Sequence, residues 1–198
     1  QKSIFFATGE AIDRLAKRPI VNTVLSKGFD VLLCPQDVDE FCFMSMNEYQ
    51  EKPFKNVAGG DLGLETEDEK SAAEAITKEN EGLFSEMQKA LDDKVKRVAV
   101  SARLTDTPSC VTAEGPITLE MEKILAQGPD GEHVKSDRVL ELNAEHPVFK
   151  AVQKAFEDGD TEKVHLYATI LYDQALITEG LPIDDPVAYT QAVYKFMA

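Results

Sequence analysis

FDVLLCPQDVDEFCFMSMNEY, residues Phe29–Tyr49, holds the turning point of the fold. Val31–Cys34 is a short, continuous apolar run closed by Pro35, the pattern of a strand buried on both faces. Asp37 then suits the N-cap of a helix running to Tyr49. Upstream, Ser3–Gly9 (SIFFATG) reads as a second buried strand, and Glu10–Lys17 and Pro19–Lys27 as helical pieces. Pro19 suits a helix start and Gly28 a C-terminal stop. Strand, helix, strand, helix is an α/β unit with parallel pairing. Along the helix from Asp37, the residues Val38, Phe41, Cys42, Ser45 and Tyr49 share one face, which periodicity assigns to the core. Phe43 and Met44 then point elsewhere, either into an adhesive patch or beneath a second domain.

After Phe54 the texture changes. Asn56–Gly63 (NVAGGDLG) is rich in turn residues and marks a boundary, with residues 1–58 as a small αβα domain and 59–198 as a second domain. From Asp61 to Asp93 there are eleven acidic and three basic residues, more than half of the net charge of −15. An apolar stripe (Ile76, Leu83, Phe84, Met87, Leu91) marks the second half of this stretch and the first half has only alanines. It reads as one long helix over about residues 65–92, docked through its C-terminal half and solvated or frayed in its N-terminal half. Strands follow over 94–102, 109–113 and 138–142, with a helix from His146 to Asp158, so the second domain is α+β. Between the last two strands lies Gly115–Pro129 (GPITLEMEKILAQGP), a short amphipathic helix between two Gly-Pro pairs with Ile117, Met121, Ile124 and Leu125 on one face.

The C-terminal helices are apolar around most of their circumference. In Glu162–Gly180, Val164, Tyr167, Leu171, Ala175 and Leu176 form one stripe and Leu166, Ile170 and Ile177 a second. In Asp185–Ala198, Tyr189, Val193, Phe196 and Met197 lie on one side, Val187 and Tyr194 on another. Two solutions cover such helices: sandwiching inside one domain, or pairing of two hairpins into a four-helix bundle across a two-fold axis. Pattern alone favours the dimer, with Tyr167, Ile170, Leu171, Ile177, Tyr189, Val193, Phe196 and Met197 as its expected contacts.

The chemistry is sparse. A charge of −15 disfavours nucleic acid and anionic membrane surfaces. Hydrophobic content of 43% with no span-length apolar run describes an ordinary globular chain. Cys34, Cys42 and Cys110 form no CxxC pair, and Cys34 and Cys110, in apolar strand-like runs, read as buried thiols in a reducing compartment. His133, His146 and His165 have no ligand-type partner at helical spacing, which argues against a metal site. Thr8-Gly9-Glu10 reads as a tight turn, because Glu10 would repel a phosphate. Asp184 and Asp185 read as a helix N-cap, and Asp106 as a turn residue paired with Arg103. A start at Gln1, directly before a strand, leads us to expect a piece of a longer protein.

IFFATGE, GFDVLLCPQDVDEF, KVKRVAVSARLTDTPSCV, LELNAEHPV, LYDQALITEG and DDPVAYTQAVYKFM, in this order and spacing, resemble the ninety-kilodalton heat-shock chaperone family in its bacterial branch. The resemblance implies the end of the family's middle domain followed by its C-terminal dimerisation domain, with a homodimer formed through the last two helices. It implies a cytoplasmic protein. It also implies no catalysis and no cofactor within these residues, since the family's ATP and magnesium site and its catalytic arginine lie outside them. The chain's KFMA ending does not carry the acidic tail by which eukaryotic members recruit tetratricopeptide-repeat partners. Unfolded or partly folded client proteins would meet Phe41 (Trp in related bacterial sequences), Met44, Met121, Ile124 and Leu125 at the family's client positions. The rival expectation is a purely structural dimerisation module without client contacts.

Overall fold

The computed structural model describes residues 1–59, 62–127 and 134–197. Gly128-Pro129, the second hinge of the expected amphipathic helix, and His133 lie outside the described residues. The chain forms two compact units, residues 1–64 with 112–137, and residues 65–111 with 138–198. The sequence reading cut the chain once, near residue 58.

The first unit is built on β1 (Ile4–Thr8), flanked in parallel by β2 (Val31–Cys34) and β4 (Lys52–Asn56). Phe5 pairs with Val31, and Ile4 with Phe54. A two-residue strand β3 (Glu48–Tyr49) adds antiparallel to β4, giving the order β2-β1-β4-β3. Side chains alternate across β1, as a pleated strand requires. Phe5 and Ala7 enter a core with Leu15 of α1 (Ile12–Leu15), Ile20, Val21 and Val24 of α2 (Pro19–Ser26), Val57 and Leu62. Phe6 and Thr8 face the opposite way, toward α3 (Asp37–Met46). The unit also holds α6 (Leu119–Ala126), described below.

Two expectations change here. The helix from Asp37 stops at Met46, because Asn47 turns the chain with φ 57°. Its N-cap is Gln36, whose backbone N–H donates to Asp39 Oδ2 at 3.3 Å. Tyr49 is therefore in β3, and the β3–β4 hairpin turns through Gln50 and Glu51, both at positive φ.

In the second unit, β5 (Arg97–Val100) pairs in parallel with β7 (Asp137–Leu142), and β6 (Ser109–Glu114) completes a sheet of order β5-β7-β6. These are the three expected strands. The single helix expected over 65–92 is two, α4 (Glu67–Glu79) and α5 (Glu81–Leu91). Asn80 ends the first: its amide donates to Ile76 O at 2.8 Å and accepts from Gln153 Nε2 at 2.9 Å. Thr66 caps α4 reciprocally with Glu69.

Helix α8 (Thr161–Glu179) is the axis of this unit, packed by α5, by α7 (Pro147–Glu157) and by α9 (Pro186–Met197). The first of its apolar stripes is buried within the chain; in the second, Ile170 is buried, Leu166 is half-buried and Ile177 is 51% exposed. Gly180 closes α8 at φ 75°, with Leu181 N–H donating to Leu176 O at 2.9 Å, a left-handed cap that only Gly adopts at little cost. His146 caps α7 through Nδ1, and Asp185 caps α9, accepting from Val187 N and Ala188 N at 3.0 and 2.9 Å. Arg103 pairs with Glu141 at 2.6 Å rather than with Asp106.

Candidate functional site

Helix α3 presents its surface the opposite way round from the periodicity reading. Glu40 is its fully buried residue, at 0% exposure. Phe43 lies against Phe6 and Phe54, with ring centroids 4.6 Å away from each. Val38 is 55% exposed, and Cys42, Ser45 and Tyr49 are exposed as well. The expected core face is therefore solvent-facing. The reason is chemical: four donor contacts make a carboxylate tolerable inside, and the Phe43 ring supplies the apolar anchor one turn on. Glu40 Oε2 accepts from Thr8 Oγ1 and from Asn56 Nδ2 at 3.0 Å. Its Oε1 accepts from the same amide at 3.1 Å and from Thr118 Oγ1 at 2.7 Å.

Of the expected client residues on α3, Phe41 is half-buried and Met44 is exposed. Met44 lines a cleft of about 270 Å³ with Phe6, Phe43, Phe54, Asn56 and Thr118. Met46 adds a further exposed apolar side chain.

Helix α6 belongs to this unit. Thr118 caps it, accepting from Met121 N at 3.1 Å. Leu119 and Glu120 are its buried residues. Burial pushes the Glu120 carboxyl up; Lys123 and Arg18 counter that, while Glu40 and Asp37 add to it. Lys123 reaches Glu10 at 2.7 Å, and this hydrogen bond and charge hold the Glu10 carboxyl below its usual range. Met121, Ile124 and Leu125 are all half-buried, so the structure places the three on one helix with partial exposure rather than on a free ridge. Phe41, Met44 and α6 thus lie within one unit, where α3 and α6 pack together. Sequence reasoning missed Glu40, Phe43 and Thr118. The signals were a Thr two residues after Pro116 as a helix cap, and a Glu three residues before a Phe.

The second candidate surface lies on α8 and α9. Tyr167, Ile170 and Leu171 are buried by the chain itself, so they are core residues of this unit. Helix α9 is different: only Ala192 is buried, and Tyr189 and Val193 are half-buried. Val187, Tyr194 and Met197 are 66, 67 and 77% exposed. Ile177 and Phe196 are also exposed, although the Phe196 ring meets the edge of Tyr167 at 4.8 Å. Lys195 ties α9 to Glu162 of α8 at 3.0 Å.

Cys34 and Cys110 are buried and Cys42 is exposed. Burial, then Asp39 and Glu40, push the Cys34 thiol up to about 11, and burial likewise raises the Cys110 thiol well above its ordinary value. Among the described residues no group of His, Cys, Asp and Glu is arranged to hold a metal ion. No described helix is long and apolar enough to cross a membrane.

The Hsp90 protein family profile matches residues 1–198. "Chaperone protein HtpG" of Bacillus licheniformis is 48% identical over 198 residues, which is 100% of this chain and 32% of that protein. Those of Bacillus subtilis and of Clostridium botulinum strain Langeland are 46% and 45% identical over 197 residues, again 100% of this chain and 31% of each relative. The chain therefore spans about a third of the length of the curated relatives it matches. A match along every residue, at this identity, leaves one conclusion: the chain belongs to the Hsp90 family.

Proposed function

We propose that this chain is the client-binding and homodimerisation part of an ATP-dependent cytoplasmic chaperone. The observation that carries the client reading is the apolar surface of α3 and α6, where Phe41, Met44, Met121, Ile124 and Leu125 are at least partly accessible within one unit. Met is conformationally adaptable and suits a surface that must meet many sequences. An accessible apolar face of this kind fits non-native polypeptide, and the chain's acidity fits neither nucleic acid nor a membrane. ATP and magnesium would act elsewhere in the whole protein, and these residues would bind no cofactor of their own.

The test is suppression of aggregation of an unfolded client by the chain, followed by light scattering, with Phe41→Ser and Met44→Ser combined. Suppression should fall severalfold while the chain stays folded. Equal suppression by the variant would leave the structural dimerisation module as the correct reading. The dimer itself is supported by the outer face of α9, where the described residues leave Val187, Tyr194 and Met197 mostly exposed.

A further inference from the structure

Helix α6 is seated largely by polar groups, at positions where a packed helix ordinarily puts apolar ones. Leu119 is its one buried apolar residue. Beside it sit Glu120, Lys123 and the capping Thr118. The Thr118 hydroxyl has two tasks. Its proton goes to Glu40 Oε1 at 2.7 Å, and its oxygen accepts from Met121 N at 3.1 Å. One hydroxyl therefore both starts the helix and ties it to α3. Eight residues are too few to hold a helix alone in water, where about 12–15 are needed for even marginal stability. The order of α6 is thus conditional on its seat. Of the further charged ties, Lys123 to Glu10 has its carboxylate mostly in solvent and contributes little, and Glu122 Oε2 accepts from Ser136 N and Oγ, in the segment that follows the helix.

We propose that Glu40 and Thr118 form a releasable latch, in which Glu40 is the positioning residue that holds α6 beside α3. Opening the latch costs Glu40 a single partner. Oε2 keeps Thr8 and Asn56, Oε1 keeps Asn56, and water can take the place of Thr118. α6 can therefore leave its seat without orphaning the buried carboxylate, and local opening precedes unfolding of the unit. Release removes Thr118 from the wall of the Phe6–Phe43–Phe54 cleft and frees Met121, Ile124 and Leu125. The inference rests on the reading of α3 and α6 as a polypeptide-binding surface for its purpose, but not for its existence.

Amide hydrogen exchange of the 198-residue chain, read by mass spectrometry over residues 119–126, tests it without any client. Thr118→Val keeps the shape and removes the hydroxyl; it should lower protection of this segment by about tenfold. Thr118→Ser should restore it to within about threefold. Glu40→Gln leaves the cap intact and makes the tie neutral; it should lower protection by at least about threefold, since a charge-assisted bond is roughly twice as strong as a neutral one. β1 and α2 should exchange as in the unsubstituted chain. The latch is overturned if Glu40→Gln leaves the segment unchanged, which would make Thr118 a cap only. It is equally overturned if protection falls evenly across β1 and α2, or if the unsubstituted chain shows no protection over 119–126. Undiminished client suppression by the Phe41→Ser, Met44→Ser chain, with the exchange changes as expected, would count against the client reading alone.

Discussion

Replacing Tyr194 with Glu should dissociate the proposed dimer and leave the folded chain intact. Tyr194 is 67% exposed in the single chain, and among the described residues no ring or hydrogen-bond contact holds it there. Surface positions of this kind usually change stability by no more than about 0.5 kcal/mol. In a two-fold dimer the same residue is buried twice. A large apolar side chain is worth about 1.5–3 kcal/mol on burial, so removing both copies costs about 3–6 kcal/mol. That is a rise in Kd of about a hundredfold to ten-thousandfold. Sedimentation equilibrium from nanomolar to micromolar concentration would follow the shift, against a chain mass of 21.9 kDa. Thermal unfolding of the variant at low concentration would check that the monomer is unharmed. Leu171→Glu is the contrasting case: Leu171 is buried in the chain's own core, so that change should unfold the second unit rather than separate two folded ones. A Tyr194→Glu chain that stays dimeric at nanomolar concentration, or an unsubstituted chain that is monomeric at micromolar concentration, would refute the reasoning.

Glu120 should make the first unit less stable as pH rises. Its carboxyl is raised by burial above the ordinary 4.5, with Lys123 and Arg18 opposing and Glu40 and Asp37 reinforcing. The neutral form is thus favoured by folding, so the contribution is fully present below pH 4.5 and is lost as pH climbs through the raised value. Glu120→Gln should match the unsubstituted chain in denaturant midpoint near pH 4 and exceed it at pH 7; equal midpoints at both would refute this. In the second unit, burial alone would pull the Arg103 pKa down, and the Glu141 charge and hydrogen bonds outweigh it. Arg103→Ala removes the guanidinium from Glu141, which keeps the Ser101 hydroxyl, and should cost about 3–5 kcal/mol in urea unfolding; a loss below about 1 kcal/mol would show that water or another cation replaces it.

Much of the architecture was legible because it rests on strong local signals. Apolar runs bounded by Pro or Gly gave away β1 and β2, Pro19 and Pro147 marked helix starts, and alternating Val95, Val98 and Val100 foreshadowed β5. The failures share a different cause, which is that tertiary partners change what a residue can be. Glu40 reads as a surface residue until Thr8, Asn56 and Thr118 arrive from distant parts of the chain. That inverted the face of α3. The β3–β4 turn uses Gln50 and Glu51 at φ 49° and 61° without the Asn-Gly or Asp-Gly pair that announces such hairpins. Asn80 breaks a helix whose apolar stripe continues across the break, because Gln153 satisfies its side chain. Both stripes of α8 were legible in the periodicity, but not that the first would be buried whole while the second keeps Ile177 exposed.

The three thiols differ in a way that has practical value. Cys34 and Cys110 are enclosed and hold their protons far above neutral pH, whereas Cys42 stands on the open side of α3. A maleimide dye added to the native chain should therefore couple at one position without any engineered cysteine. That position sits one residue from Phe41 and two from Met44. The chain thus carries its own attachment point for a fluorophore, at the place where arrival of a polypeptide would be felt most directly.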